Sequence, residues 1–265
     1  MSDVRTPSES AATAPVTSDA AQYIWTPPAY DTSKAPQQAH RSALLPDHTF
    51  SQNFARSAKW APDGSVALAH CENRSLQYLD FLSKNIFPQA ASIVDFAWFP
   101  RATIHDPASF CFVSSVREAP VQLCDASDGR LRASYRIVDH RERQIAPHSL
   151  AFNSSADKLY CGFEDAIEVF DLNAPGEGTR LATTPSRKSR DGLKGIISAL
   201  AFCPSYDPSY SVYAAGSLSP SSSSSSNIVL YGEDTGEKAM GWIGQVRASV
   251  MQVRRRHRTR SSDLN

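Results

Sequence analysis

A short run that ends in an aromatic residue, usually with proline or a polar turn after it, recurs four times along this chain. The four copies are Ala58-Lys59-Trp60-Ala61-Pro62, Phe96-Ala97-Trp98-Phe99-Pro100, Ser149-Leu150-Ala151-Phe152-Asn153 and Ala199-Leu200-Ala201-Phe202-Cys203-Pro204. Two further short apolar runs follow each copy. The third run closes on an acidic residue in three of the units, at Gln77-Tyr78-Leu79-Asp80, Val121-Gln122-Leu123-Cys124-Asp125 and Glu168-Val169-Phe170-Asp171, with the aspartates 45 and 46 residues apart. Runs this short, punctuated by Gly, Pro, Asp and Ser, argue for strands and tight turns rather than helices. Pro62-Asp63-Gly64-Ser65 and Asp128-Gly129 are favourable hairpin connections.

This period, with aromatic-Pro openings and apolar-Asp closings, resembles the WD40 repeat, which forms a four-stranded propeller blade. The resemblance implies an all-β fold, a WD40-type β-propeller with about four blades present of an expected seven. The defining tryptophan is absent. Leu79, Cys124 and Phe170 stand in its place, and the fourth unit reads Val229-Leu230-Tyr231-Gly232 without an acidic close. The units open near residues 58, 95, 148 and 197, and the serine run from Ser221 to Ser226 reads as a loop inserted between strands of the fourth.

The flanks differ from the repeats. Residues 1–49 are rich in Ser, Thr, Ala and Pro without a sustained period, which predicts a disordered leader. Its Tyr23-Ile24-Trp25 is either a chance apolar cluster or a docking motif. Residues 50–246 form the repeat region, and residues 247–265 an arginine-rich tail. Within the tail, Ala248-Ser249-Val250-Met251-Gln252-Val253 looks like the opening strand of a fifth blade, cut off by Arg254-Arg255-Arg256-His257-Arg258-Thr259-Arg260. The expectation is a truncated or aberrant C-terminus, with a nuclear-localisation or RNA-binding tail as the other reading.

The net charge is zero, from 27 basic and 27 acidic side chains. The tail carries six arginines and one aspartate, so the remaining chain is about five charges negative. Any nucleic-acid contact must therefore come from local basic patches. Five cysteines without a C-x-x-C pair suggest neither a disulfide framework nor a zinc site. No apolar run is long enough to span a bilayer and no signal-peptide pattern opens the chain, so an intracellular protein without a membrane partner is expected. Nucleophile elbows, phosphate loops, dinucleotide fingerprints and metal-binding helices are also missing from the sequence. A non-enzyme without cofactor, metal or small-molecule substrate is the reading.

Several uncommon stretches carry a closer resemblance. They are Lys59-Trp60-Ala61-Pro62-Asp63-Gly64-Ser65, the segment from Arg117-Glu118 through Asp125 to Arg136, His148-Ser149-Leu150-Ala151-Phe152, Cys161-Gly162-Phe163, and Gly195 to Phe202. In order and spacing they resemble the telomerase Cajal body protein family, WD-repeat proteins that bind small Cajal-body RNAs and telomerase RNA. The resemblance implies a small nuclear guide RNA or telomerase RNA with its ribonucleoprotein as partner, protein partners on the propeller faces, and a Cajal-body-like nuclear location, with the cytoplasm also open. A generic WD40 protein scaffold, splicing-associated or G-protein-β-like, is the alternative.

Two basic stretches are the candidate RNA contacts. Arg130, Arg132, Arg136, Arg141 and Arg143 run from the last strand of the second unit towards the third, and Arg187, Lys188, Arg190 and Lys194 precede the fourth. In a propeller such connections share one face, so these charges are expected to form one positive rim suited to RNA phosphates. Solvated loop charge is the other reading. Arg117, His148 and Phe163 lie in the family-like stretches with open roles: Arg117 free or paired with Glu118, His148 structural or RNA-contacting, and Phe163 stacked on a base or packed between blades.

Overall fold

The computed structural model describes residues 47–79, 85–174, 176–185, 192–203, 211–218 and 227–243, with positions 33, 35, 44, 250 and 252. The chain divides into Met1–Arg41 and Ser42–Asn265, and every described strand lies in the second unit. The leader and the tail fall almost wholly outside the described residues.

Sixteen described strands form four antiparallel sheets of four. Blade 1 holds β1 (Ala55–Trp60), β2 (Ala67–Cys71), β3 (Ser75–Tyr78) and β4 (Ile86–Pro88); blade 2 holds β5 (Ile93–Trp98), β6 (Cys111–Val116), β7 (Val121–Asp125) and β8 (Leu131–Tyr135). Blade 3 holds β9 (Ser149–Phe152), β10 (Lys158–Phe163), β11 (Ala166–Asp171) and β12 (Thr179–Ala182); blade 4 holds β13 (Ile197–Phe202), β14 (Val212–Ser217), β15 (Ile228–Gly232) and β16 (Ala239–Trp242). Each blade is a simple meander, and the first strand of each packs on the first strand of the next. The chain is an all-β protein of WD40-type propeller blades.

The hydrophobic core is three cores, one between each pair of neighbouring blades. Strand alternation divides the side chains between them. In β10, Leu159, Cys161 and Phe163 face blade 2, whereas Tyr160 faces blade 4. A central strand buried on both faces shows no alternation of apolar and polar residues, as in the Leu159–Phe163 run of β10, while β6 is buried throughout with Ser114 and Ser115 among its apolar residues.

Register also corrects the equivalences between repeats. Leu68, Phe112, Leu159 and Tyr213 pair with Tyr78, Cys124, Phe170 and Tyr231 respectively. Tyr78, not Leu79, therefore occupies the tryptophan position of blade 1. Tyr78 is buried among Phe87, Trp98 and Phe110, while Leu79 is half-exposed. Asp80, which set the 45-residue spacing, lies outside the described residues and one position beyond the equivalents of Asp125 and Asp171. The turn readings agree with the structure: Gly64 and Gly129 have φ of +73° and +78°, and the Asp63 and Asp128 carboxylates accept the Ser65 and Arg130 amides.

Polar contacts knit the inner strands. Asp95 on β5 takes Lys59 of β1 at 2.8 Å and the Leu150 amide of β9 at 2.9 Å, so one carboxylate joins three blades. Ser149 donates to the Ile197 carbonyl of the next blade at 2.8 Å. Ser198 likewise donates to the carbonyl of Val250, whose own amide donates to Ser217 at 2.9 Å. Val250 thus meets blade 4 much as Ile197 meets blade 3; of the other residues of the 248–253 run, only Gln252 is among the described residues.

Blade 2 is locked at one end by Asp125. Burial works to raise its pKa, but hydrogen bonds from Ser127 and Arg132, with the Arg132 charge, hold it at about 2. Its ionised form therefore contributes stability above the ordinary value of 3.8, and this is lost as pH falls towards 2. Asp125→Asn should lower unfolding free energy near neutral pH by about 1–3 kcal/mol. In pH-resolved urea unfolding it should also flatten the acid limb between 3.8 and 2; a variant whose acid limb matches the parent would refute the lock. Gly162 is a second point of close approach: a Cβ there would lie 2.4 Å from Ser149 Oγ and 2.8 Å from Ile197 Cγ2. Gly162→Ala should cost about 1–3 kcal/mol by chemical unfolding, because both obstacles belong to a packed blade junction.

Candidate nucleic-acid interface

The meander assigns every turn to one of two faces. The β2–β3 and β6–β7 turns share a face with the blade-to-blade connections, and the β3–β4 and β7–β8 turns lie on the other. Arg117 in the β6–β7 turn, Arg136, Arg141 and Arg143 before β9, His148 at the start of β9, and Lys194 before β13 therefore share the first face. Arg187, Lys188 and Arg190 fall in the last of these connections but outside the described residues.

Arg130 and Arg132 do not join them. The pairing of Cys124 with Leu131 and of Val121 with Tyr135 puts the start of β8 at the opposite end of blade 2 from Arg136. Arg132 is held there by Asp125 at 2.7 Å and by the carbonyls of Pro107, Ala108 and Phe110, which makes it a strut of the blade. Arg130 stands on the β7–β8 turn, 3.7 Å from Asp125. The single rim expected from the sequence thus splits, because a strand carries its two ends to opposite faces.

The first face is mixed in charge. Arg143 pairs with Asp139 at 2.7 Å, and Asp139 is held at about 2, chiefly by the backbone amide of Arg143. Glu118, Glu142, Glu164 and Asp165 lie on the same face, Asp165 accepting the Gly195 amide at 2.7 Å. Arg136 and Arg141 are exposed, and their guanidinium groups have no hydrogen bond or ion pair among the described residues.

The family-like positions separate clearly. Phe163 is buried between blades 2 and 3 and covered by the Arg180 guanidinium at 5.1 Å, so it packs and is closed to a base. The reason is its place at the end of β10, on the side facing blade 2. His148 is exposed: only its backbone is tied, donating to Gly162 at 2.7 Å. Arg117 is exposed beside Glu118, which takes a φ of +61°, and the two form no ion pair.

Arg117 and His148 meet in a cleft of about 390 Å3 on this face, together with Arg56, His70, Glu72 and Arg74. The sequence reading missed Arg56, His70 and Arg74 because none of them lies in a basic stretch. One signal was available: Arg74 and Arg117 occupy the corresponding turn of successive repeats. Beside the cleft, the inner strands of all four blades line an axial cavity of about 510 Å3 that also includes His148. Cys71, Cys111, Cys124 and Cys161 are buried thiols; burial raises the first three to about 11 and pushes Cys161 up as well, which suits packing rather than reactivity.

No family model matches the sequence. The chain is similar to telomerase Cajal body protein 1 of Rattus norvegicus, 32% identical over 219 residues, covering 77% of this chain and 39% of the rat protein. To the Homo sapiens protein of the same name it is 31% identical over 182 residues, covering 63% of this chain and 32% of that one. The chain thus spans between about a third and two fifths of the length of these relatives. Among solved structures, a WD40 propeller in the crystal structure of the mitotic checkpoint complex superposes with a TM-score of 0.54 at 15% identity, over 78% of this chain and 57% of that one, a likeness of fold alone. The relatives and the register of the four blades agree with the sequence motifs, and the chain belongs to the telomerase Cajal body protein family.

Proposed function

We propose that this chain is a non-enzymatic WD-repeat factor of a nuclear ribonucleoprotein, binding a small nuclear guide RNA or telomerase RNA and carrying protein partners on its blade faces. The reading rests above all on one observation, the similarity to proteins named for telomerase and the Cajal body across most of the described blades. The distribution of charge supports it. Arg136 and Arg141 stand exposed on the face that also bears Arg117, Arg143, His148 and Lys194, on a chain whose repeat region is net negative. Arg187, Lys188 and Arg190 belong to the same proposed contact. Guanidinium groups engage phosphate oxygens and also stack on unpaired bases, so a few of them on one face suffice for a single strand. The same relatives support a nuclear, Cajal-body-like location.

The face can be tested directly. In anisotropy titrations of the full chain with single-stranded RNA, Arg136→Glu, Arg141→Glu and Arg143→Glu combined should weaken binding and reduce the salt slope by about 2, at roughly 0.7 per phosphate contact. Arg130→Glu on the opposite face should leave both unchanged. RNA affinity that survives the triple variant but is abolished by neutralising Arg254, Arg255, Arg256, Arg258 and Arg260 would refute the face. Absence of RNA binding in the parent chain would leave a protein scaffold.

A further inference from the structure

The cleft beside blades 1, 2 and 3 concentrates basic side chains from three repeats. It collects three arginines and two histidines from separate repeats against one carboxylate, Glu72, which already pairs with Arg56. Arg74 and Arg117 form no side-chain hydrogen bond or ion pair among the described residues, although both are exposed. The turns that carry them are built alike: Arg74 takes a φ of +60°, and Glu118, next to Arg117, a φ of +61°. The Arg117 amide donates to the Ser92 carbonyl at 3.0 Å, which anchors its turn to the residue just before β5 in the lining of the cleft. At about 390 Å3 the space lies in the range of ligand clefts rather than packing defects.

Resting on the RNA reading above, we infer that this cleft seats one phosphodiester group of the RNA, taken by the guanidinium groups of Arg74 and Arg117 with His70 and His148 beside it. The histidines give the seat a proton linkage. Burial first, then the Arg56 charge, lowers the pKa of His70, against Asp95 and Glu72, which raise it, with Lys59 lowering it further. Burial first, then Arg117, lowers that of His148, against Glu164. Both imidazoles are therefore neutral at physiological pH. An anion in the cleft offsets the guanidinium charges and favours imidazolium, so RNA binding takes up protons and tightens as pH falls. A rise of one pKa unit on binding corresponds to about tenfold in affinity.

The test uses the full chain, a labelled oligouridine of about ten nucleotides, and inorganic phosphate as a separate probe followed through the histidine ring proton resonances. Arg74→Gln with Arg117→Gln should reduce the RNA salt slope by about 1.4, two single-strand contacts at roughly 0.7 each. Arg74→Lys with Arg117→Lys should retain most of the slope. The parent should bind RNA more tightly as pH falls through and below the ordinary histidine value, by up to about tenfold per coupled histidine, and His70→Asn with His148→Asn should abolish that gain. An RNA slope and pH profile unchanged in the glutamine variant would overturn the seat while leaving the Arg136–Arg141 face intact. Phosphate shifting the histidine resonances of the parent without any RNA affinity would overturn both the seat and the RNA function, leaving a small-anion cleft.

Discussion

Blades 2 and 3 depend on being covered on both faces. A four-stranded meander with Leu159, Cys161 and Phe163 on one side and Tyr160 on the other cannot expose either side without losing apolar burial. The three cores between blades are therefore the fold, and the strands within a blade serve mainly to hold side chains at the right spacing. Asp95 shows the same logic in polar form: by taking Lys59 and the Leu150 amide together it fixes the inner strands of three blades around the axial cavity.

That packing decides which charges can act outward. Arg132, with its guanidinium turned onto Asp125 and three carbonyls, supports a blade end, whereas Arg117, Arg136 and Arg141 sit where meander turns and connections leave the sheets. Phe163 likewise fills the junction between blades 2 and 3, buried beneath the Arg180 guanidinium. The cleft of Arg56, His70, Arg74, Arg117 and His148 assembles from turns and strand ends that only neighbouring blades bring together.

Much of this was legible in the sequence. The Asp63-Gly64 and Asp128-Gly129 turns were readable, because such pairs specify a left-handed backbone locally: Gly64 and Gly129 adopt it, whereas the same conformation at Arg74, Glu118 and Asp165 carried no such signal. The blade count was readable from the repeated aromatic openings. The tryptophan position of blade 1 was misassigned by one residue, since Tyr78 and Leu79 are both apolar and only strand pairing tells which one faces the core. The cleft was legible only in part: Arg117 and His148 were singled out by the family-like stretches, whereas Arg56, His70 and Arg74, which line it with them, lie in no basic stretch of the chain.

By itself, then, the sequence determined the repeat, the class of blade and the Asp-Gly turns, which rest on local propensity and on period, and it carried the family resemblance in the order of its uncommon stretches. Only the tertiary structure decided which face each charge occupies and which residues meet. A strand reverses direction at every turn, so Arg130 and Arg136, six positions apart in the chain, come to opposite ends of one blade, while Arg74 and Arg117 from different repeats line one cleft. Proximity of that kind is a property of how blades stack, and no run of residues within one repeat encodes it.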